Sequence, residues 1–380
     1  MTALWIAVAL FAADDRLTYH RVTNARSPRQ EPGVERAEIP SLIEGLATAR
    51  DWTRKRRPQL VREWTQILGR LEPRREDRRW FPDIRKARIG RVEDRGAYER
   101  VELDLQMEAG FWQPHLLLRP KRKGRLPAVI AWTSTTPDYK APEQWWGAWL
   151  AERGYVVLCG WSFLRNYRDQ ADYRTAAHDK VHERFGRWMG VSKMAHDARR
   201  EAEYLVSLRD VDATKIGFIG FSLGAKAALY VAAFAPEVAA VVSLDPHIAL
   251  NGGTNWFAPW YLDWIRPFPD IATPERTVLS LLDRDASRAG LEHDHHEILA
   301  LAAPKPLLII GGSDSEDAGG DSDDRESWGY VNRASEVYAL LGVRDRLRFV
   351  LTGEGHKPNG AKTDQAWREF FLRWLLVPSR

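Results

Sequence analysis

The chain has 380 residues, of which 44% are hydrophobic and 28% charged, and its formal net charge is +4. Such a length buries a large core without cross-links, and this composition excludes a disordered or fibrous chain. The single cysteine, Cys159, excludes an internal disulfide, a thiolate zinc cage and an iron–sulfur cluster, and the near balance of charge is not the footprint of a nucleic-acid binder. Tryptophan is the anomaly, with 17 in the chain.

The first feature in chain order is the apolar run Ala3 to Ala13, followed by Asp14, Asp15 and Arg16. It is too short to span a bilayer and resembles the core of a signal peptide, although no Lys or Arg precedes it and Phe11 breaks the small-residue rule for cleavage. On that reading residues 1–13 are a signal-like segment, and a secreted or periplasmic location is expected rather than a cytoplasmic one. No other stretch reads as a membrane span. Residues 14–90 read as a helical extension packed on the core. Within it, 39–72 carries apolar residues at helical spacing (Ile43, Leu46, Trp52, Leu60, Trp64, Ile67 and Leu68). Residues 51–100 hold 16 basic and 9 acidic side chains, which reads as a solvated face with Arg stems lying over apolar surface.

Residues 91–380 read as the main domain. Tyr98–Met107 alternates polar and apolar and pairs with Pro114–Arg119 in an antiparallel hairpin. Short apolar runs then alternate with helical segments: 128–132, 156–160, 216–220, 239–244, 307–311 and 347–351, with helices over 143–153, 194–208, 223–235, 328–341 and 362–376. Runs without polar alternation are parallel strands buried on both faces. The alternation predicts a mostly parallel, doubly wound α/β sheet of about eight strands with flanking helices.

Gly220-Phe221-Ser222-Leu223-Gly224 follows the strand at Lys215–Gly220 and opens an Ala-rich helix. A G-x-S-x-G pentapeptide between strand and helix is a nucleophile elbow, a turn so tight that only small residues fit two before and two after the serine. The fitting base is His356, in a glycine-flanked loop past the last strand. A carboxylate should orient it. Asp314, three residues beyond Gly311, is the first choice and Asp317 the second; Asp323 and Asp324 share that loop, and Asp245 at the end of the preceding strand is a further option. The order Ser222, Asp314, His356, with separations of 92 and 42 residues, is that of an α/β-hydrolase. The oxyanion hole takes the backbone N–H of Leu223 and one from Thr133, Ser134 or Thr135, with Ser134 central. The cluster His293, His295 and His296 reads as a polar helix start rather than a metal site. No metal and no organic cofactor is expected.

These pieces, over about 95–376, resemble the α/β-hydrolases of the dienelactone hydrolase and acetyl xylan esterase-like group of bacterial serine esterases. The resemblance rests on Pro127–Trp132 with its Thr-rich loop, Gly220–Lys226, Leu299–Gly312 and Gly355-His356. It implies ester hydrolysis through Ser222, His356 and an acid in 314–317. A second resemblance is partial. Glucuronoyl esterases follow the nucleophile with Arg and carry Lys four residues after it; here Lys226 is in place, but Leu223 stands where the Arg would be. Lys226 then either meets a substrate carboxylate or forms a structural salt bridge.

Trp145, Trp146, Trp149, Trp161, Trp256, Trp260 and Trp264 fall in segments that emerge at the C-terminal edge of the sheet, where open α/β folds bind ligands. Trp161 and Trp256 are the candidates for substrate contact, while Trp52, Trp64, Trp80, Trp367 and Trp374 are expected in the core. The expected reaction is hydrolysis of a small-molecule or polysaccharide ester, such as a decoration on a plant polymer. The competing classes are a glucuronoyl-esterase-like activity, a peptidase of prolyl-oligopeptidase type (disfavoured because 380 residues leave no room for a propeller), an acyltransferase and an inactive binding module.

Overall fold

The computed structural model describes residues 39–135, 138–166, 173–250, 256, 258–263, 266–271, 277–282, 291–313, 323–324 and 327–376. The apolar run at residues 3–13 lies outside them. No helix among the described residues is long and apolar enough to cross a membrane.

Nine strands among the described residues form one sheet: β1 (Arg88–Asp94), β2 (Tyr98–Glu108), β3 (Phe111–Pro120), β4 (Leu126–Trp132), β5 (Val156–Gly160), β6 (Val211–Phe221), β7 (Ala240–Leu244), β8 (Leu307–Gly311) and β9 (Leu347–Leu351). Their spatial order is β1-β2-β3-β5-β4-β6-β7-β8-β9. β1 to β3 are antiparallel, β3 meets β5 antiparallel, and β5 to β9 run parallel. Strands β4, β5, β7 and β8 hold almost only buried residues, the burial that their unbroken apolar sequences anticipated. β1, exposed along most of its length, adds an edge strand beyond the expected hairpin.

The chain leaves β4 for β5 on one side and returns to β6 on the other, so the crossovers reverse at β4. Crevices at such a reversal, beyond the carboxyl ends of the strands, are where ligands bind. In-register pairing sets those ends in a row: Trp132 opposite Gly220, Phe221 opposite Leu244, Leu244 opposite Ile310 and Gly311 opposite Leu351.

Eight helices matter to the argument: α1 (Arg57–Leu68), α2 (Ala148–Glu152), α3 (Tyr173–Phe185), α4 (Gly190–Ser207), α5 (Leu223–Phe234), α6 (His295–Leu301), α7 (Trp328–Leu340) and α8 (Ala361–Phe371). The helix expected over 39–72 is narrower: helical structure begins at Ala49 and ends at Leu68. Gly45 and Gly69, at φ 72° and 81°, hold backbone that a helix cannot continue through. α3 was not anticipated, because its polar residues outnumber its buried ones (Ala177, His178, Val181 and Phe185).

The N-terminal helix is fastened to the core by tryptophan. Trp64 is fully buried, its ring lies parallel to that of His295, and its Nε1–H donates to Glu297 Oε2 at 2.7 Å. Trp52 and Trp367 are also buried, as expected. Trp80 and Trp374 are half-buried instead, each with guanidinium groups over its face. Trp64→Ala should cost about 3–5 kcal/mol through the cavity it leaves. Trp64→Phe keeps the bulk but strips Glu297 of a buried donor and should cost about 1–3 kcal/mol. Urea unfolding of the two variants would show that order.

Candidate active site

The nucleophile turn follows from β6 running straight into α5. Ser222 between them has φ 54° and ψ −108°, a conformation strained for any residue with a side chain. Its N–H donates to Leu244 O at 2.9 Å, which ties the turn to the neighbouring strand. A Cβ on Gly220 would sit 2.2 Å from Gly224 O, and one on Gly224 would sit 2.7 Å from Thr133 O. Both positions therefore admit only glycine.

His356 stands between two partners. Its Nε2 is 3.0 Å from Ser222 Oγ, and its Nδ1 is 2.7 Å from Asp245 Oδ2. A carboxylate only accepts, so Nδ1 carries the proton and Nε2 is left to accept from the serine hydroxyl. The loop bearing His356 is held by Gly355 N–H donating to Gly312 O at 2.8 Å, and the imidazole rests on Phe221, ring centres 4.7 Å apart. His356 remains 29% exposed while Asp245 is 3% exposed, so the imidazole reaches solvent and the carboxylate that orients it does not.

Asp245 occupies the place expected for Asp314 or Asp317, which both lie outside the described residues. The reason is register. β7 is the immediate neighbour of β6, so the first residue past Leu244 emerges beside Ser222, and its φ of 61° turns the chain sharply there. The carboxylate is fixed on its other side as well. Asp245 Oδ1 accepts from Asp323 N–H at 2.6 Å and Gly312 N–H at 3.2 Å. Asp323 itself points elsewhere: its oxygens accept from His247 N–H, Ile248 N–H and the Ser327 hydroxyl. Burial, with the charge of Asp245 added, pushes the Asp323 carboxyl up to about 6.

The expected oxyanion donors are the backbone N–H groups of Leu223 and of the loop after β4. Leu223 begins α5, so its N–H has no partner within the helix. Across the sheet, Thr133 N–H already donates to Gly160 O at 3.2 Å, which leaves the buried Ser134 as the next donor beyond β4.

Lys226 is buried, and among the described residues no carboxylate forms a salt bridge with it. It is 1% exposed, its Nζ donates to Pro246 O at 2.6 Å, and it lies 4.4 Å from the centre of the Trp256 ring. Burial lowers its pKa to about 7 against the pull of Asp323 and Asp245. Trp256 is wholly enclosed and donates from Nε1 to His247 O at 2.5 Å. Trp161 is buried as well, against Tyr139. Both candidates for substrate contact thus stand behind the wall of the site, not on it. Of the other aromatics at this edge, Trp146 is buried, Trp145, Trp149 and Trp260 are half-buried, and Trp264 lies outside the described residues. Trp145 packs on Phe221, the ring that carries His356.

The three clustered histidines serve the core. His293 Nδ1 meets Glu297 at 2.8 Å, His295 lies between Ile248 O and Tyr230 Oη, and His296 is enclosed without a hydrogen bond.

Residues 115–253 match the dienelactone hydrolase family. The chain has the fold of the α/β-hydrolases. A 4-O-methyl-glucuronoyl methylesterase 1 of Wolfiporia cocos is 30% identical over 173 residues, 44% of this chain and 41% of that protein. The protein of the same name from Sodiomyces alcalophilus is 25% identical over 177 residues, 34% of its length. The aligned part is thus less than half of either relative. Among solved structures, a glucuronoyl esterase from Solibacter usitatus superposes with a TM-score of 0.67 at 18% identity, covering 91% of this chain and 100% of that one. A glucuronoyl esterase from Teredinibacter turnerae gives 0.60 at 17% identity, covering 97% and 98%. These superpositions extend the α/β-hydrolase likeness over nearly the whole chain.

The hydrogen-bonded line predicts a labelling pattern. A serine-directed phosphonate should modify Ser222, and Asp245→Asn should slow that modification about 10³-fold, since the amide favours the wrong imidazole tautomer. Asp314→Asn should leave the rate within about twofold. Intact-mass spectrometry over a time course distinguishes the two acids.

Proposed function

We propose that the protein is a serine-dependent carboxylic ester hydrolase acting on ester decorations of plant polysaccharides. The observation that carries this reading is the line from Ser222 Oγ through His356 to Asp245, at 3.0 and 2.7 Å. His356 Nε2 takes the Ser222 proton as Oγ attacks the ester carbonyl. The N–H groups of Leu223 and Ser134 receive the oxyanion, at the N-terminus of α5 where negative charge is favoured. The intermediate collapses, His356 returns the proton to the leaving alkoxide, and Ser222 is left acylated. Water, deprotonated by the same imidazole, then releases the acid. Asp245 keeps Nδ1 protonated and stabilises the imidazolium in both halves of the cycle.

The named relatives support a sugar-linked ester as substrate. Leu223 leaves the oxyanion to backbone donors alone, because no guanidinium follows the nucleophile. Trp145, half-buried and one ring away from His356, is the aromatic face best placed for a sugar. Export fits both the polymeric substrate and the signal-like run at residues 3–13.

Ser222→Ala should lower kcat on p-nitrophenyl acetate by about 10⁴-fold or more and abolish the burst of released nitrophenol. Acetyl-xylan, a methyl glucuronate ester and a peptide anilide assayed beside it define the acid and alcohol. Undiminished ester turnover in Ser222→Ala, or peptide cleavage exceeding ester cleavage in the wild type, would sink the proposal.

A further inference from the structure

We infer that His178, His182 and Asp263 form a binding site for a divalent transition ion of the zinc class, separate from the esterase chemistry. His178 and His182 stand one turn apart on α3, so both imidazoles project from one face of the helix. Asp263 comes from the long segment between β7 and β8. The three side chains are 0%, 7% and 3% exposed.

Their donor atoms converge. His178 Nε2 and His182 Nε2 are 2.8 Å apart, and Asp263 Oδ2 lies 3.5 Å from the first and 3.8 Å from the second. The point equidistant from three atoms so placed lies about 2.0 Å from each, the length of a zinc–imidazole or zinc–carboxylate bond. A tetrahedral site with bonds of about 2.0 Å needs all three separations near about 3.3 Å, so the imidazole pair opens by about 0.5 Å while the Asp263 oxygen closes by about 0.2–0.5 Å, which lifts the ion out of the ligand plane and leaves a fourth position for water.

The outer atoms suit that role. Metal-bound histidines usually have an acceptor behind the other ring nitrogen. His182 Nδ1 lies 3.2 Å from Gly186 O, which fixes the proton there and turns the Nε2 lone pair inward. His178 Nδ1 makes no hydrogen bond but faces Asp179 Oδ1 at 3.5 Å, so a small ring rotation completes the second shell. Two imidazoles and one carboxylate favour zinc over calcium or magnesium, which take oxygen ligands. Arg266 Nε also contacts Asp263 Oδ2, at 2.7 Å. It does not occupy the site, because a carboxylate oxygen has two lone pairs, and Arg266 has a second partner in Asp179 at 2.5 Å. Asp263 is one of four non-glycine residues with positive φ among the described residues, at 47°, and two of the others, Ser222 and Asp245, lie in the catalytic line.

The ion would act as a staple. It joins α3 to the segment that also carries Trp256 and Tyr261, whose rings enclose Lys226 behind the turn of Asp245. Stabilisation then follows zinc concentration by mass action.

The test uses untagged full-length protein freed of metal with a chelator. Titration with Zn²⁺ by calorimetry should give one ion per chain, and Co²⁺ should give the visible absorption of a low-coordinate nitrogen–oxygen site. His182→Gln and Asp263→Asn should each weaken Zn²⁺ binding by at least about 100-fold, exceeding the usual loss of a second-shell partner. Phosphonate labelling of Ser222 in the metal-free variants should stay within about threefold of wild type, which shows that they fold. Wild-type protein that takes up no Zn²⁺, or equal Zn²⁺ affinity in both variants and wild type, overturns the site. Because uptake is measured without turnover, either result stands whatever the esterase assays show.

Discussion

The turn at residues 245–248 is the constraint on which the rest of the site depends. Asp245 leaves β7 with its N–H on Ile310 O, its carboxylate on His356, and two further backbone N–H groups on the remaining oxygen. Its neighbours are tied in as well. Pro246 O accepts from Lys226, His247 O from Trp256, and the N–H groups of His247 and Ile248 end on Asp323. Such a turn holds two residues at positive φ, Asp245 and His247, which is tolerable only where the surroundings dictate it. The orientation of the His356 imidazole is therefore set by the sheet and two loops acting through one carboxylate.

The electrostatics follow from that enclosure. Asp245, Asp323 and Lys226 are all buried within one small volume, two carboxyls and one amine. A charge taken from water is expensive unless it is paired or hydrogen-bonded. Here backbone N–H groups satisfy the carboxyls, and a carbonyl and two aromatic faces satisfy the amine. In the proposed reaction the His356 imidazolium gains a counter-charge already desolvated and fixed, with little reorganisation left to make. The same arrangement explains why Lys226 points inward: its amine has a place in this balance and none at the surface.

Much of this was legible in the chain. Strands β5 and β8 fall on the apolar runs at 156–160 and 307–311, because burial on both faces leaves no polar residue to blur their limits, and β9 falls on 347–351 although Arg348 interrupts its apolar pattern. The Ser222 turn was legible from its glycines, and His356 from the loop glycines around it. Asp245 could be read only as one of several options, since choosing it needs the pairing of β7 with β6, and register between strands is not written in local pattern. Trp161 and Trp256 were placed at the correct edge of the sheet but on the wrong side of its wall, because strand order locates a residue without saying which neighbours cover it. The His178 and His182 pair had a readable signal, two histidines four apart, that went unused because α3 lacks the apolar periodicity that marks a helix.

The segment between β7 and β8 thus carries more than a connection needs. One part of it encloses Lys226 behind the catalytic turn, and another brings Asp263 to two histidines of α3. A connection with such ends is held at both the site and the periphery, so its position over the sheet edge is determined by polar contacts and not by apolar packing alone. Hydrophobic surfaces tolerate sliding, whereas hydrogen bonds at 2.5 to 2.7 Å do not. The enclosure of Lys226 and the turn of Asp245 are consequently one mechanical unit. Within the segment it is Trp256, on the carbonyl of His247 and over the amine that holds Pro246, that is tied to this turn, whereas Asp263 is tied to α3.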